Sequence, residues 1–337
     1  MRNIYDLTIK ELEDYFISIN EKKFRAVQVY EALYKRRVTS FDDMTNISKE
    51  VREKLKQDFS FYKIKMLIKQ QGKNVNKYLF ELEDGNKIES VLMFHDYGTS
   101  ICVSSQVGCN MTCAFCESGR LKKVRNLLAY EIVEQILQIE EDINKRITHV
   151  VVMGIGEPFD NYDNVLRFVK IINCGKGIDI GSRHITISTC GVIPGIKKFM
   201  NEEGQVNLAI SLHAPNNTLR SRIMPINKAY PLNELMETIK EYINKTNRRV
   251  TFEYIMLDNV NDSEENAKEL ALLLKGINCY VNLIPYNETE NIEFKRTKEW
   301  KIMKFYDILK KNKINVTIRK EFGGSVDAAC GQLRANN

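Results

Sequence analysis

Three of the chain's eight cysteines fall within eight residues, as Cys109, Cys113 and Cys116 in a C-x3-C-x2-C run, and the others stand apart at 102, 174, 190, 279 and 330. The opening MRNIYDLTIKELEDYF has no continuous apolar stretch and no small-residue cleavage site, so no secretory leader is expected. In a chain read as cytoplasmic, thiols serve more often as ligands or catalysts than as a disulfide framework. Three thiolates on one tight loop can hold three corners of a cubic iron–sulfur cluster and leave one iron without a protein ligand. That vacancy suits a small molecule with both an amino and a carboxylate group, and S-adenosylmethionine (SAM) has both. An electron from the reduced cluster would then break the sulfonium bond and release a 5′-deoxyadenosyl radical. A zinc ion is the competing reading. It wants a fourth Cys or His, and His95 and His149 do not stand at ligand spacing.

The remaining motifs read two ways. In Gly154-Ile155-Gly156-Glu157-Pro158 the glycines let backbone approach a ligand closely, or simply make an ordinary strand-to-helix turn. Ser188, Ser211-Leu212-His213 and Asn287 would singly be structural residues. They share one placement with the glycine turn and the cysteine run, at or just after the C-terminal ends of candidate strands, where α/β sheets and barrels put their active sites. Cys330, near the C-terminus, reads alone as an inert thiol, Cys102 as a buried strand residue, and Glu89 as a charge on the exposed face of a hairpin.

The scaffold for these motifs is legible in the hydrophobic periodicity. Residues 1 to about 60 read as helical, with Leu7, Ile9, Leu12 and Phe16 and then Val29, Leu33 and Tyr34 at helical spacing. Residues 64–94 carry two strand-like runs, KYLFELE and KIESVLMF, around the turn signal Asp84-Gly85. From residue 100 strands alternate with helices: strands over 100–106, 148–154, 184–190, 206–213, 249–257 and 280–286, and helices over 128–144, 162–173, 193–202, 231–245, 263–276 and 297–312. Six such strands imply an α/β fold with a parallel sheet and right-handed crossovers, either open or a partial barrel. A seventh strand is expected over 314–320.

Composition sets the bounds. The 337 residues suffice for one large domain and a smaller one, and no apolar run approaches the length of a membrane span. Lys and Arg number 50 against 44 acids, a formal charge of +6 that does not by itself imply nucleic acid. Basic clusters at 22–25, 35–37 and 120–125, the first two near Phe24, Tyr30 and Tyr34, suit phosphate contacts and base stacking as well as they suit a solvated helix face.

The run SSQVGCNMTCAFC, with Phe115 before its last cysteine and RNLLAYEIVEQI after it, resembles the radical SAM superfamily. Within it the chain is similar to the dual-specificity methyltransferases of 23S rRNA and tRNA that methylate adenine C2. Their relative, the chloramphenicol–florfenicol resistance methyltransferase, acts at C8 of the same rRNA adenine. The resemblance extends from FRAVQVYEALYKR to DAACGQL. It implies a partial (β/α)6 TIM-like barrel over 100–322, a small N-terminal helical RNA-binding domain over 1–62, a β-hairpin extension over 63–99 and a C-terminal catalytic-cysteine loop over 323–337. It implies a 4Fe–4S cluster on Cys109, Cys113 and Cys116. SAM would be held by Gly156 and Glu157 at its amino group, and by Ser188, Ser211, Leu212, His213 and Asn287 at its ribose, carboxylate or adenine.

The same resemblance gives the remaining residues their roles. Cys330 carries a methyl, Cys102 is its partner, and Glu89 accepts a proton. Adenine C2 lies between two ring nitrogens and is too electron-poor to attack the SAM methyl, which suits it to a carbon radical, and the resemblance implies a route through two SAM molecules. The expected partners are 23S rRNA, tRNA and a low-potential electron donor such as flavodoxin, with the enzyme acting as a cytoplasmic monomer away from membranes. The loop after the cluster departs from the family pattern: Glu117-Ser118-Gly119 and Lys122-Lys123 stand where many members have Thr-Gly and Gly-Phe. Two alternatives stay open. One is methylation at C8, the other an iron–sulfur RNA-binding protein without methyl transfer, which would need neither Cys102, Cys330 nor Glu157.

Overall fold

The computed structural model describes residues 1–202, 204–289, 291–319 and 332–333. At the N-terminus, α1 (Ile9–Ser18) opens on a capping box in which Thr8 and Glu11 satisfy each other's backbone amides. It is followed by α2 (Phe24–Tyr34) and α3 (Lys49–Asp58), the latter capped by Ser48. Their apolar stripes meet over Leu12, Phe16, Val29, Leu33 and Leu55. Tyr30 and Tyr34, expected to offer faces to a base, are instead buried, and their hydroxyls donate to the carbonyls of Leu7 and Tyr5 at 3.3 and 3.2 Å. Only Phe24 of the three is exposed, because it sits on the far side of α2 from the apolar stripe.

Ten strands then form one sheet whose spatial order is the chain order. The first four, β1 (Lys65–Gln71), β2 (Val75–Glu81), β3 (Lys87–His95) and β4 (Gly98–Val103), pair antiparallel. Asp84-Gly85 turns the chain as expected, with Gly85 at φ +78°. The run KMLIKQQ gives a third strand that the periodicity did not indicate, since β1 is an exposed edge strand without an apolar face.

From β4 onward the sheet is parallel: β5 (His149–Val152), β6 (Ile185–Thr189), β7 (Asn207–Ser211), β8 (Val250–Met256), β9 (Cys279–Pro285) and β10 (Val316–Ile318). Helices α4 (Ala129–Ile143), α5 (Tyr162–Asn173) and α6 (Ile193–Phe199) make the first crossovers. The short α7 (Asn217–Ile223) precedes α8 (Leu232–Thr246), and α9 (Glu264–Leu273) and α10 (Glu299–Lys311) complete the set. This is the expected partial barrel, with the antiparallel extension continuing its sheet. One face of the parallel sheet packs on the helices in a core rich in Ile, Val and Leu. Its other face carries polar residues in register: Ser211, Glu253, Asn282 and Thr317 lie side by side across β7 to β10. That polar inner face is where a site can form.

Candidate active site

The cysteine run leaves β4 through Ser104, Ser105 and Gln106, and a two-residue pairing of Gln106–Val107 with Arg125–Asn126 closes the loop at its neck. Gly108, at φ +72°, lies so near the returning strand that a Cβ would meet the Lys122 carbonyl at 2.3 Å. The loop is then stitched by Cys109 N–H to Leu121 O at 2.9 Å and Cys116 N–H to Cys113 O at 3.1 Å. Cys109, Cys113 and Cys116 thus line one cavity of about 850 Å³, a volume that includes its mouth. Burial pushes the Cys109 thiol up to about 12 and the Cys113 thiol well above its ordinary value, and the neighbouring thiols add to both shifts. Soft, buried donors of this kind become thiolates when they bind iron. Three soft thiol donors from one short loop, all lining one cavity, fit the donor set of a cubic iron–sulfur cluster.

The glycine turn faces the cysteines across the cavity. A Cβ on Gly154 would meet Val103 O at 2.7 Å, and one on Gly156 (φ +111°) the Gln106 side chain at 2.6 Å, so both glycines are required for the turn to nest against the start of the cysteine loop. Glu157 is buried, and its carboxylate accepts from the backbone amides of Phe159 at 3.0 Å and Cys190 at 2.8 Å. Burial lifts its carboxyl above the usual range while those amides pull it back.

Ser188 and Ser211 bring their hydroxyls to 3.5 Å of each other on the inner face. His213, at φ +57°, lies edge-on to Phe115 and accepts at Nδ1 from the Ile255 amide at 3.0 Å, which puts its proton on Nε2. Burial, then the nearby Arg220, hold its pKa down at about 3, so it is neutral in the fold.

Four expected residues lie elsewhere. Leu212 points into the core and Asn287 is half-buried just past β9; neither lines the cavity. Cys102 joins Val75, Val91, Met93, Ile155 and Leu333 in a small apolar cluster beside the cavity. Glu89 is buried rather than exposed, 2.8 Å from Lys77, because the extension strands bury this face as they continue the barrel sheet. Val91 pairs directly with Cys102, so Glu89, two positions along β3, stands on the same face as Cys102. Cys330 lies outside the described residues. The chain past it returns at Leu333, whose carbonyl accepts from Ser118 Oγ at 2.7 Å, and at Gln332, which donates to Glu288 O at 3.1 Å.

Two residues escaped the sequence reading. Arg220 on α7 is fully buried and donates to the carbonyls of Cys190 at 2.6 Å, Leu212 at 3.2 Å and Ser211 at 3.3 Å, tying together the ends of β6 and β7 beside the cavity. Nothing in NTLRSRI separates it from a surface charge. Glu253 lines the cavity from β8, held by Asn282 Nδ2 at 2.9 Å. A lone carboxylate inside the apolar run TFEYIML was its available signal.

Comparison with known proteins agrees with this geometry. Residues 2–60 match the ribosomal RNA large subunit methyltransferase N-terminal domain, and residues 103–271 match the radical SAM superfamily. The chain is 54% identical to the "Probable dual-specificity RNA methyltransferase RlmN" of Spiroplasma citri, over 100% of this chain and 98% of that one. It is 55% identical to the protein of the same name from Enterococcus faecalis, over 99% and 96%. A radical SAM methyltransferase of Sphaerobacter thermophilus superposes with a TM-score of 0.94 at 41% identity, covering 100% of both chains. The three-cysteine loop, the glycine turn across from it and near-complete alignment with these relatives lead to one conclusion: the chain belongs to the RlmN family of radical SAM RNA methyltransferases, enzymes that work with a 4Fe–4S cluster and SAM.

Proposed function

We propose that this chain methylates C2 of an adenine in 23S rRNA, at the peptidyl transferase centre, and in tRNA, with Cys330 as methyl carrier. The observation that carries the reading is the clustering of Leu333 with Cys102 on the face beside the cavity that the three loop cysteines line. Leu333 lies three residues past Cys330 in sequence. The shared names of the full-length relatives support the choice of RNA.

Cys109, Cys113 and Cys116 hold the cluster, which when bound supplies the electron that splits SAM. Glu157, fixed by two backbone amides, takes the SAM ammonium, and Ser188, Ser211 and His213 line the wall for its ribose, carboxylate and adenine. Leu212 and Asn287 act through backbone and loop position. The Cys330 sulfur takes a methyl from one SAM by displacement. That methyl loses a hydrogen atom to the radical from a second SAM, and the carbon bonds to adenine C2, leaving one unpaired electron on the adduct that the oxidised cluster would take back. Glu89 accepts the C2 proton, and the Cys102 thiolate attacks the Cys330 sulfur; a disulfide forms, the carbon–sulfur bond breaks, and the released carbon takes a proton to become the methyl of the departing base. A low-potential electron donor such as flavodoxin would supply the cluster's electron, and an external two-electron reductant restores both thiols.

Residues 1–62 form the RNA-gripping domain, 63–99 the sheet extension that carries Glu89, 100–322 the barrel and 323–337 the carrier loop. The enzyme acts as a monomer in the cytoplasm, where its RNA substrates are made.

The test is anaerobic reaction of reconstituted protein with SAM, reductant and unmethylated 23S rRNA fragment or tRNA, with nucleosides identified by mass spectrometry. We expect 2-methyladenosine; 8-methyladenosine would overturn the regiochemistry. Cys330→Ala should give no methylated RNA. Cys102→Ala should leave RNA covalently attached to protein on a denaturing gel. A variant that releases product normally would remove Cys102 from the mechanism.

A further inference from the structure

At the end of the barrel opposite the cysteines, the segments leading into the parallel strands are basic. Lys145 and Arg146 precede β5, Lys176 and Arg183 precede β6, and Arg248 and Arg249 precede β8. In a parallel sheet these segments all emerge at one end, so the charges share a floor. Asp179 lies in the second of these segments, yet among the described residues Lys145, Lys176, Arg183, Arg248 and Arg249 have no carboxylate within ion-pair distance. Arg146 spends its guanidinium on the carbonyls of Ile178 and Asp179. Two clefts cut this floor. One, between Lys35 and Arg37 of the N-terminal helices and Lys145 and Arg146 of the barrel, is also lined by Glu140, Glu141 and Asp179 and is nearly balanced in charge; the other, lined by Arg183, Thr186, Asn207, Arg248 and Arg249, has three arginines and no carboxylate among the described residues. Lys35 pairs with Glu31 and Arg37 with Glu140, so the uncompensated charge belongs to the barrel side.

Between the clefts stands a stack of rings that uses three of the chain's four histidines. His149 and His184 are stacked at 4.4 Å, Tyr97 meets His149 edge-on at 5.4 Å, and His95 stacks on Tyr97 at 4.6 Å. Thr148 fixes the arrangement: its hydroxyl is 2.9 Å from His149 Nδ1, its carbonyl is 3.2 Å from His184 Nδ1, and the Thr99 amide donates to its Oγ1 at 3.0 Å. Gly98 permits that clamp, since a Cβ there would meet Thr148 Oγ1 at 2.4 Å. Tyr97 is 68% exposed and His184 is also exposed, so the stack is ordered yet open to solvent.

We infer that this floor is a second RNA-binding face, on which phosphates lie along the cations of the two clefts and an unpaired base stacks on the exposed rings of Tyr97 or His184. Cations supply attraction without sequence preference, and a π-face accepts any base. A protein electron donor fits less well: the floor is a strand length from the cysteines, about 15–20 Å. The cleft shared with Lys35 and Arg37 joins the floor to the N-terminal helices, so one RNA can run from those helices around the barrel while its target base enters the opposite end. The inference rests on the reading of the chain as an RNA methyltransferase but not on which adenine carbon it methylates.

The test compares full-length wild type, an Arg248→Glu/Arg249→Glu double variant and Tyr97→Ala. Each is titrated with a long substrate transcript and with a short hairpin that carries only the target loop, over a series of salt concentrations. On the long transcript we expect each variant to bind about fivefold or more weakly. For the double variant the salt dependence should flatten by about one unit of slope for each phosphate that no longer meets a cation. Hairpin binding and SAM affinity should match wild type, which also shows that the variants fold. Unchanged affinity and slope on the long transcript would overturn the inference. So would equal weakening on the hairpin, or a defect confined to turnover with a protein reductant. Wrong regiochemistry with these binding effects intact would count against the C2 reading alone.

Discussion

At the scale of single residues, the site depends on groups whose burial is offset only by their partners. Arg220 is the sharpest case, a guanidinium with no solvent exposure that reaches three strand-end carbonyls and Asn227. Arg220→Ala should therefore destabilise the protein by about 3 kcal/mol or more, read as a lowered urea midpoint, and should weaken SAM binding along with it. An unchanged midpoint would mean that those carbonyls find other donors. The cysteine loop and the turn glycines were legible in the sequence because residue type and spacing mark them: three thiols that come to line one cavity, and Gly156 where φ is positive. Arg220 was not, because burial is a property of the assembled fold and an arginine on a short helix reads the same in water or in the core. Glu89 shows the converse error. Its hairpin was legible, but not that the hairpin continues the barrel sheet and buries the carboxylate.

At the scale of elements, the loop between Val107 and Arg125 is the part whose shape fixes the three cysteines. Gly108→Ala would set a methyl group against the Lys122 backbone, at a φ that L-residues avoid. Backbone cannot move aside as a side-chain tip can. The expected outcome is a folded protein with native far-ultraviolet circular dichroism that takes up less than half the wild-type iron on anaerobic reconstitution. Full iron content would show that the loop has slack. The strands and helices of the barrel were legible almost to the residue, since buried parallel strands and amphipathic helices alternate with contrasting periods. The edge strand β1 and the short α7 were not, because neither buries a regular apolar stripe.

At the scale of the molecule, the N-terminal helices are tied to the barrel by Glu11, which accepts from Arg167 across the interface and from Thr8 within the cap. Burial alone would raise its pKa, but Arg167, Thr8 and Arg2 outweigh that and bring it down to about 2. An unfolded Glu titrates near about 4.3. As pH falls below that value the unfolded chain takes up the proton first, so the stabilisation is complete above it and is lost on the way to about 2. Glu11→Gln should thus be less stable than wild type at neutral pH, with the gap closing between about pH 4 and 2. A gap that persists at pH 2 would assign the loss to packing rather than charge.

The sheet's strand order bears on how such a molecule is made. Each strand pairs only with its neighbours in the chain, so a nascent polypeptide can add them one at a time, without waiting for distant sequence. Cys109, Cys113 and Cys116 leave the ribosome well ahead of Cys330, which lies far downstream of them in the sequence. On the proposed roles, iron could therefore be loaded into a half-built barrel before the proposed carrier thiol, itself able to bind iron, has been made.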